Sequence, residues 1–269
     1  MIGFFDSGFG GLTILKKVVA FLPDYDYLYL GDNARVPYGN RSQKMVYQFT
    51  REAVDFLFKQ GCPLIIIACN AASAKALRRI QQEFLPEAYP DRRVLGVIRP
   101  SAEAIIETGC QKIGVLATEG VVASGAYRTE INKVNPSIKV FQQACPLLVP
   151  IIEAGEQDWE GTDMIVRKYL DGLFAQDRQI DKILLACTHY PILSKTFEKN
   201  VPSHVAIFEQ GPIVARKLKD YLRRHTEIET KLKKGKDRKF LTTDVSEKFD
   251  RLARVFFGQS VASDLISLG

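Results

Sequence analysis

At 269 residues the chain is long enough for one large domain or two ordinary ones, and 46% hydrophobic with 25% charged residues is a globular composition with a sizeable core. No apolar run reaches the roughly 18 to 20 residues of a membrane helix, and 2-IGFFDSG-8 opens on a strand without a basic leader or apolar signal core, so no membrane contact is expected and the cytoplasm is the expected compartment. The net charge of +6 is concentrated in 216-RKLKDYLRRHTEIETKLKKGKDRK-239, where no aromatic residue interleaves 231-KLKKGKDRK-239; that reads as a solvated helix face and a basic loop rather than a nucleic-acid surface.

Residues 2–6 read as a first strand, followed by the loop 6-DSGFGG-11 and a helix over 11–21. The loop can present main-chain N–H groups and the Ser7 hydroxyl to an anion. It is not a dinucleotide fingerprint, because Thr13 stands where G-x-G-x-x-G needs its last glycine. It is no P-loop, and G-x-S-x-G is absent around Ser7. A second strand at 26–31 precedes the clearest helix, 42–60: Ser42 can cap it, Val46, Phe49, Ala53, Phe56 and Leu57 line one face, and Gly61 can end it. Strand 64–68 runs into 68-ACN-70 and a helix at 73–84. Further strands are expected at 94–98, 113–117, 138–142, 182–186 and 205–208. Helices are expected at 101–108, 124–134, 147–154, 162–175, 192–200, 211–225 and 246–257. Such alternation argues for an α/β protein with doubly wound parallel sheets, whose ligands sit beyond the carboxyl ends of the strands.

Two pairs of motifs echo each other. The opening 2-IGFFDSG-8 resembles 113-IGVLATEG-120, and 65-IIIACNAAS-73 resembles 183-ILLACTHYP-191; Gly3 maps to Gly114 at an offset of about 111 and Cys69 to Cys187 at about 118. The economical account is two similar α/β halves related by a pseudo-twofold, with the active site in the cleft between them. One domain is expected to comprise 1–97 plus 207–269 and the other 98–206.

The five cysteines are odd in number, widely spaced and without a C-x-x-C pair, so zinc-ribbon and thioredoxin-type chemistry is not suggested. Cys62, Cys110 and Cys145 read as small core residues. Cys69 and Cys187 each end a buried-looking strand. A thiol on each side of a small molecule suits removal of a proton from one face of a carbon and delivery to the other. Asp6 can flank Cys69; its bland alternative is a helix N-cap. His189 lies two residues after Cys187, so extended backbone points both to one side. Zinc held by Cys69, Cys187 and His189 is set aside, since that spacing matches no zinc pattern.

With these residues in view, the chain resembles the glutamate racemase family. The likeness is carried by 6-DSGFGGL-12, 37-PYG-39, 68-ACN-70, 113-IGVLAT-118, 149-VPIIEAG-155, 187-CTHYP-191 and 240-FLTTD-244, which span nearly the whole chain. The resemblance implies two α/β domains, no cofactor and no metal, glutamate as substrate, a role in supplying D-glutamate for peptidoglycan, and a homodimer as the expected assembly. By the same resemblance Cys69 and Cys187 are the two acid/base groups, Asp6 assists Cys69, His189 assists Cys187, and Glu153 is a further carboxylate near the site. Ser7, Pro37, Tyr38, Gly39, Asn70, Thr118 and Thr188 would hold the substrate, along with Asp6 and His189. At substrate-contact positions where the family carries threonine, this chain has Ala71 and Val121. Another acidic amino acid or dicarboxylate is therefore the alternative substrate. A binding protein on the same scaffold is a more distant alternative, motivated by the basic segment.

Overall fold

The structure is a computed structural model that describes residues 1–244 and 247–268, apart from the side chains of Glu247 and Lys248. The chain divides into two compact units, Met1–Val97 with Gly211–Gly269, and Ile98–Gln210. Each is an α/β layer structure built on one all-parallel sheet.

The first sheet has the order β10-β9-β2-β1-β3-β4. Its strands are β1 (Ile2–Asp6), β2 (Tyr27–Gly31), β3 (Leu64–Ile67), β4 (Arg93–Gly96), β9 (Arg238–Thr242) and β10 (Ser263–Leu265). The central strands β1, β2 and β3 are buried at every position, as continuous apolar strands covered on both faces must be. Between them run helices α1 (Leu12–Phe21), α2 (Gln43–Lys59) and α3 (Asn70–Lys75). Ser42 caps α2, accepting a hydrogen bond from the Met45 N–H at 3.3 Å.

The second sheet has the order β6-β5-β7-β8, with strands β5 (Lys112–Ala117), β6 (Lys139–Ala144), β7 (Lys182–Ala186) and β8 (Ala206–Glu209). Its connectivity reproduces that of β2-β1-β3-β4 strand for strand, so the echo in the sequence is a repeat of topology: β1 corresponds to β5 and β3 to β7.

Two strands were not expected. Residues 238–239 were read as the end of a basic loop, yet β9 pairs with β2 from Tyr27 opposite Arg238 to Gly31 opposite Thr242, and β10 adds beside it. The second unit runs to Gln210, so β8 belongs to it, whereas the expected division at 206/207 cuts through that strand. The helix expected from 73 begins at Asn70; the one expected at 124–134 is Ala126–Val134, and a further helix that was not expected, Glu119–Ser124, precedes it across Gly125 with φ +64°. Ser246, where the last helix was expected to begin, lies outside the described residues; the helix Glu247–Phe257 follows it. Among the described residues no helix is long and apolar enough to cross a membrane.

Candidate active site

In the first unit, strand register places the chemistry. Phe5 lies opposite Ile67, so two residues further on Ser7 and Cys69 leave neighbouring strands side by side, and Ser7 Oγ stands 3.4 Å from Cys69 Sγ. Cys69 occupies the N-cap of α3, where its sulfur accepts a hydrogen bond from the Ala72 N–H at 3.4 Å. Burial pushes the Cys69 thiol up to about 12, the neighbouring Asp6 charge adds to this, and the bonds from Ser7 and Ala72 hold it back. At neutral pH Cys69 is a thiol.

Asp6 is buried, and its Oδ2 accepts the Gly8 N–H at 2.9 Å, which folds the glycine loop back over the strand end. The Tyr29 hydroxyl fixes the same loop by donating to the Gly8 carbonyl at 2.8 Å. Gly11 is required here by close approach: a Cβ would stand 2.6 Å from Asp6 Cβ and 3.0 Å from Ala68 Cβ. Asn70 and Ala71 form the buried first turn of α3 immediately behind Cys69.

The 37-PYG-39 segment is held differently from the expected ligand contact. Tyr38 is buried, its ring lies near Phe5 and Phe49, and its hydroxyl donates to the carboxylate of Asp32. Asp32, fully buried, also accepts from Arg35 Nε at 2.6 Å and Thr243 Oγ1 at 2.8 Å. The Tyr38 hydroxyl is thus committed to fixing the loop, and the main chain of Pro37, Tyr38 and Gly39 is what this segment can offer a ligand. Sequence reasoning passed over Asp32, although its place straight after an apolar strand in 27-YLYLGDN-33 was a usable signal.

The second unit repeats the arrangement with a different titratable partner. Ala117 lies opposite Ala186, so Thr118 and Cys187 are the first residues past two adjacent strand ends. By topology Thr118 is the counterpart of Ser7, a hydroxyl beside a cysteine in each unit. Thr118 stands at the N-cap of Glu119–Ser124 but makes no capping bond, and its buried Oγ1 has no hydrogen-bond partner among the described residues. An unsatisfied buried hydroxyl costs roughly 1–3 kcal/mol, a cost that a ligand's polar group would relieve. Thr118→Val should therefore unfold at an equal or higher temperature than the wild type while its KM rises about tenfold or more; calorimetry and steady-state kinetics on the same sample check both.

His189 is buried. Its Nδ1 lies 4.0 Å from Cys187 Sγ and its Nε2 3.0 Å from Glu153 Oε1, on the helix Leu148–Ala154. Burial opposes protonation of the imidazole, but the hydrogen bonds to Cys187 and Glu153 and the negative charge at both outweigh it and push His189 up to about 10. An imidazolium so placed can exchange a proton with the adjacent sulfur. Glu153, expected only as a further carboxylate near the site, is tied to it through His189. Thr188 is buried between Cys187 and His189, and Val121 is buried in the helix behind Thr118.

The first unit therefore gathers Asp6, Ser7, Cys69, Asn70 and Ala71, and the second gathers Thr118, Glu153, Cys187, Thr188 and His189. Cys62, Cys110 and Cys145 are buried free thiols, and burial raises the pKa of each. Among the described residues no group of three or more His, Cys, Asp or Glu side chains is placed to hold a metal ion.

Residues 10–218 match the family model described as Asp/Glu/Hydantoin racemase. The chain is 38% identical over 258 residues to a glutamate racemase of Geobacter metallireducens, covering 96% of this chain and 92% of that one. Among solved structures it is similar to the glutamate racemase from Francisella tularensis in complex with D-glutamate, with a TM-score of 0.88, 32% identity and coverage of 99% and 97%. A glutamate racemase isoform from Bacillus anthracis matches with a TM-score of 0.89, 33% identity and coverage of 100% and 97%.

Proposed function

The chain belongs to the Asp/Glu/Hydantoin racemase family, and from that premise we propose that it interconverts L- and D-glutamate by a two-base reaction in which Cys69 and Cys187 are the proton-transfer groups. The observation that carries the reading is the duplicated arrangement: a cysteine just past the same strand of each repeated sheet, a hydroxyl beside it, and a different titratable partner in each unit. One sulfur, as thiolate, takes the Cα proton; the other, as thiol, gives one to the opposite face. The first then stands as thiol and the second as thiolate, ready for the reverse direction. No electron is exchanged and no group is transferred, so the protein's own side chains suffice for the proton balance.

Asp6 serves the Cys69 side and His189 the Cys187 side, with Glu153 holding the imidazole in place. By resemblance Cys69 acts on the D form and Cys187 on the L form. Hydroxyls and main-chain groups at Ser7, Pro37, Tyr38, Gly39, Asn70, Thr118 and Thr188 are proposed to bind the substrate's charged ends, with Ala71 forming part of the same surface. The proposal extends to a role in supplying D-glutamate for peptidoglycan, to the cytoplasm as compartment, and to a homodimer, which sedimentation tests directly.

A second substrate reading is favoured by Ala71, which offers no hydroxyl beside Asn70. Proton NMR of the protein with L-glutamate in heavy water separates the two. Loss of the Cα proton signal with appearance of D-glutamate is the expected result. Absence of exchange with glutamate, but exchange with aspartate or another acidic amino acid, would overturn the substrate assignment and keep the two-cysteine chemistry.

A further inference from the structure

The last residue of α3 makes contacts that neither the repeat nor the cysteine chemistry accounts for. Lys75 Nζ donates to the Gly39 carbonyl at 2.9 Å and to the Arg41 carbonyl at 2.7 Å. These carbonyls belong to the turn after 37-PYG-39, whose residues Asn40, Arg41 and Ser42 are exposed. Within the turn, the Arg41 N–H reaches the Tyr38 carbonyl at 3.2 Å, and upstream the Tyr38 hydroxyl is anchored at Asp32. Lys75 adds an anchor of a different kind, from the helix whose N-cap is Cys69. On that helix Ala71 and Lys75 are four residues apart and share a face. Burial lowers the Lys75 pKa, and Cys69, when it is a thiolate, acts in the opposite direction.

We propose that Lys75 is a positioning residue, which ties the 37–41 segment to the helix capped by Cys69 so that the main chain of Pro37–Gly39 and the thiol form one fixed surface for substrate. Two hydrogen bonds from a cation to carbonyls are stronger and more directional than neutral contacts. Their loss releases the loop without touching either sulfur. The effect therefore falls mainly on binding; withdrawing the ammonium charge from the surroundings of Cys69 is the smaller influence, felt in kcat. Arginine, with several N–H donors on a similar stem, can span the two carbonyls; methionine keeps the stem and loses the donors.

The kinetic part of the test rests on the racemase reading, and a second readout does not. In Lys75→Met the KM for glutamate rises about tenfold with kcat within about threefold of wild type, and Lys75→Arg recovers most of the KM. Independently of turnover, amide hydrogen exchange at residues 39–41 is about tenfold faster in Lys75→Met than in wild type, and near wild type in Lys75→Arg. An active wild type whose Lys75→Met variant keeps its KM overturns the proposal, as does a variant that loses kcat alone or shows unchanged exchange at 39–41. Should the wild type fail to racemise glutamate, the reading of function falls and the exchange measurement alone decides Lys75.

Discussion

On the proposed reaction, Cys69→Ala and Cys187→Ala are each expected to lose racemisation by at least about 10³-fold, because each would remove one of the two proposed proton-transfer groups. The two variants differ in what survives. With Cys69 removed, Cys187 can still take the Cα proton from the enantiomer it faces and return a solvent-derived one to the same face. Slow deuterium entry into L-glutamate without inversion is therefore expected for Cys69→Ala, and into D-glutamate for Cys187→Ala. Mass spectrometry of each enantiomer after incubation in heavy water measures this. Near-wild-type inversion in either variant would remove the two-base reading, and equal exchange of both enantiomers in both variants would remove the assignment of faces. Cys62→Ala and Cys110→Ala are controls for loss of a buried thiol; Cys145, whose thiol is pushed up in part by charge on Cys187, is not used as one.

The second large effect concerns the imidazole and its pH dependence. His189 is pushed from its ordinary value near 6.5 up to about 10. In the window from about 6.5 to 10 the folded protein holds a proton that the unfolded chain has lost. Stability supplied by the imidazolium is therefore fully present below about pH 6.5 and falls away as pH rises through about 10. His189→Leu should cost about 2 kcal/mol at pH 6 and clearly less at pH 10, since a hydrogen bond to a charged partner is worth roughly 1.5–3 kcal/mol. Urea denaturation of both proteins across that range reads the difference directly. On activity, His189→Leu should lower kcat by about 10²-fold or more. Glu153→Gln removes one of the causes of the raised value, so its stability loss still begins near pH 6.5 but is smaller and is complete at lower pH than in wild type. A pH profile of stability indifferent to both substitutions would show that the imidazole carries no charge in the folded state.

The parts of the fold that could be read from sequence are those where burial writes itself as composition. The strands β1, β3, β5 and β7 are short runs of Ile, Leu, Val and Phe bounded by glycine, aspartate or cysteine, and they were located within a residue or two. The strand β9 was missed because its first residues, Arg238 and Lys239, continue a run of lysines. What makes them a strand is pairing with Tyr27 and Leu28, more than two hundred residues away. The three-residue β10 has no periodicity to detect. Helix α3 was placed three residues late because Cys69 is an unusual N-cap, outside the Ser, Thr, Asp and Asn that mark helix starts.

The candidate site divides along the same line. Asp6, Ser7, Cys69, Thr118, Cys187 and His189 were legible because they lie next to strand ends in repeated motifs. The partnership of Glu153 with His189 depends on packing a helix against a strand end 36 residues away. The Tyr38–Asp32 bond and the reach of Lys75 to two carbonyls are tertiary contacts, which residue type alone does not announce.

The completion of the first sheet by β9 has a consequence for how the protein is made. The segment that supplies the Asp32 partner Thr243, the Asn33 partner Thr242 and the neighbour of β2 is synthesised after all of the second unit. While the ribosome is still translating residues 211–237, Ile98–Gln210 already holds every strand of its own sheet, whereas β2 presents an unpaired edge. The protein's two halves thus mature in the reverse of the order in which they begin. Of Cys69 and Cys187, the one encoded first acquires its finished surroundings last, and the open β2 edge is the point at which a nascent chain is most exposed to mispairing.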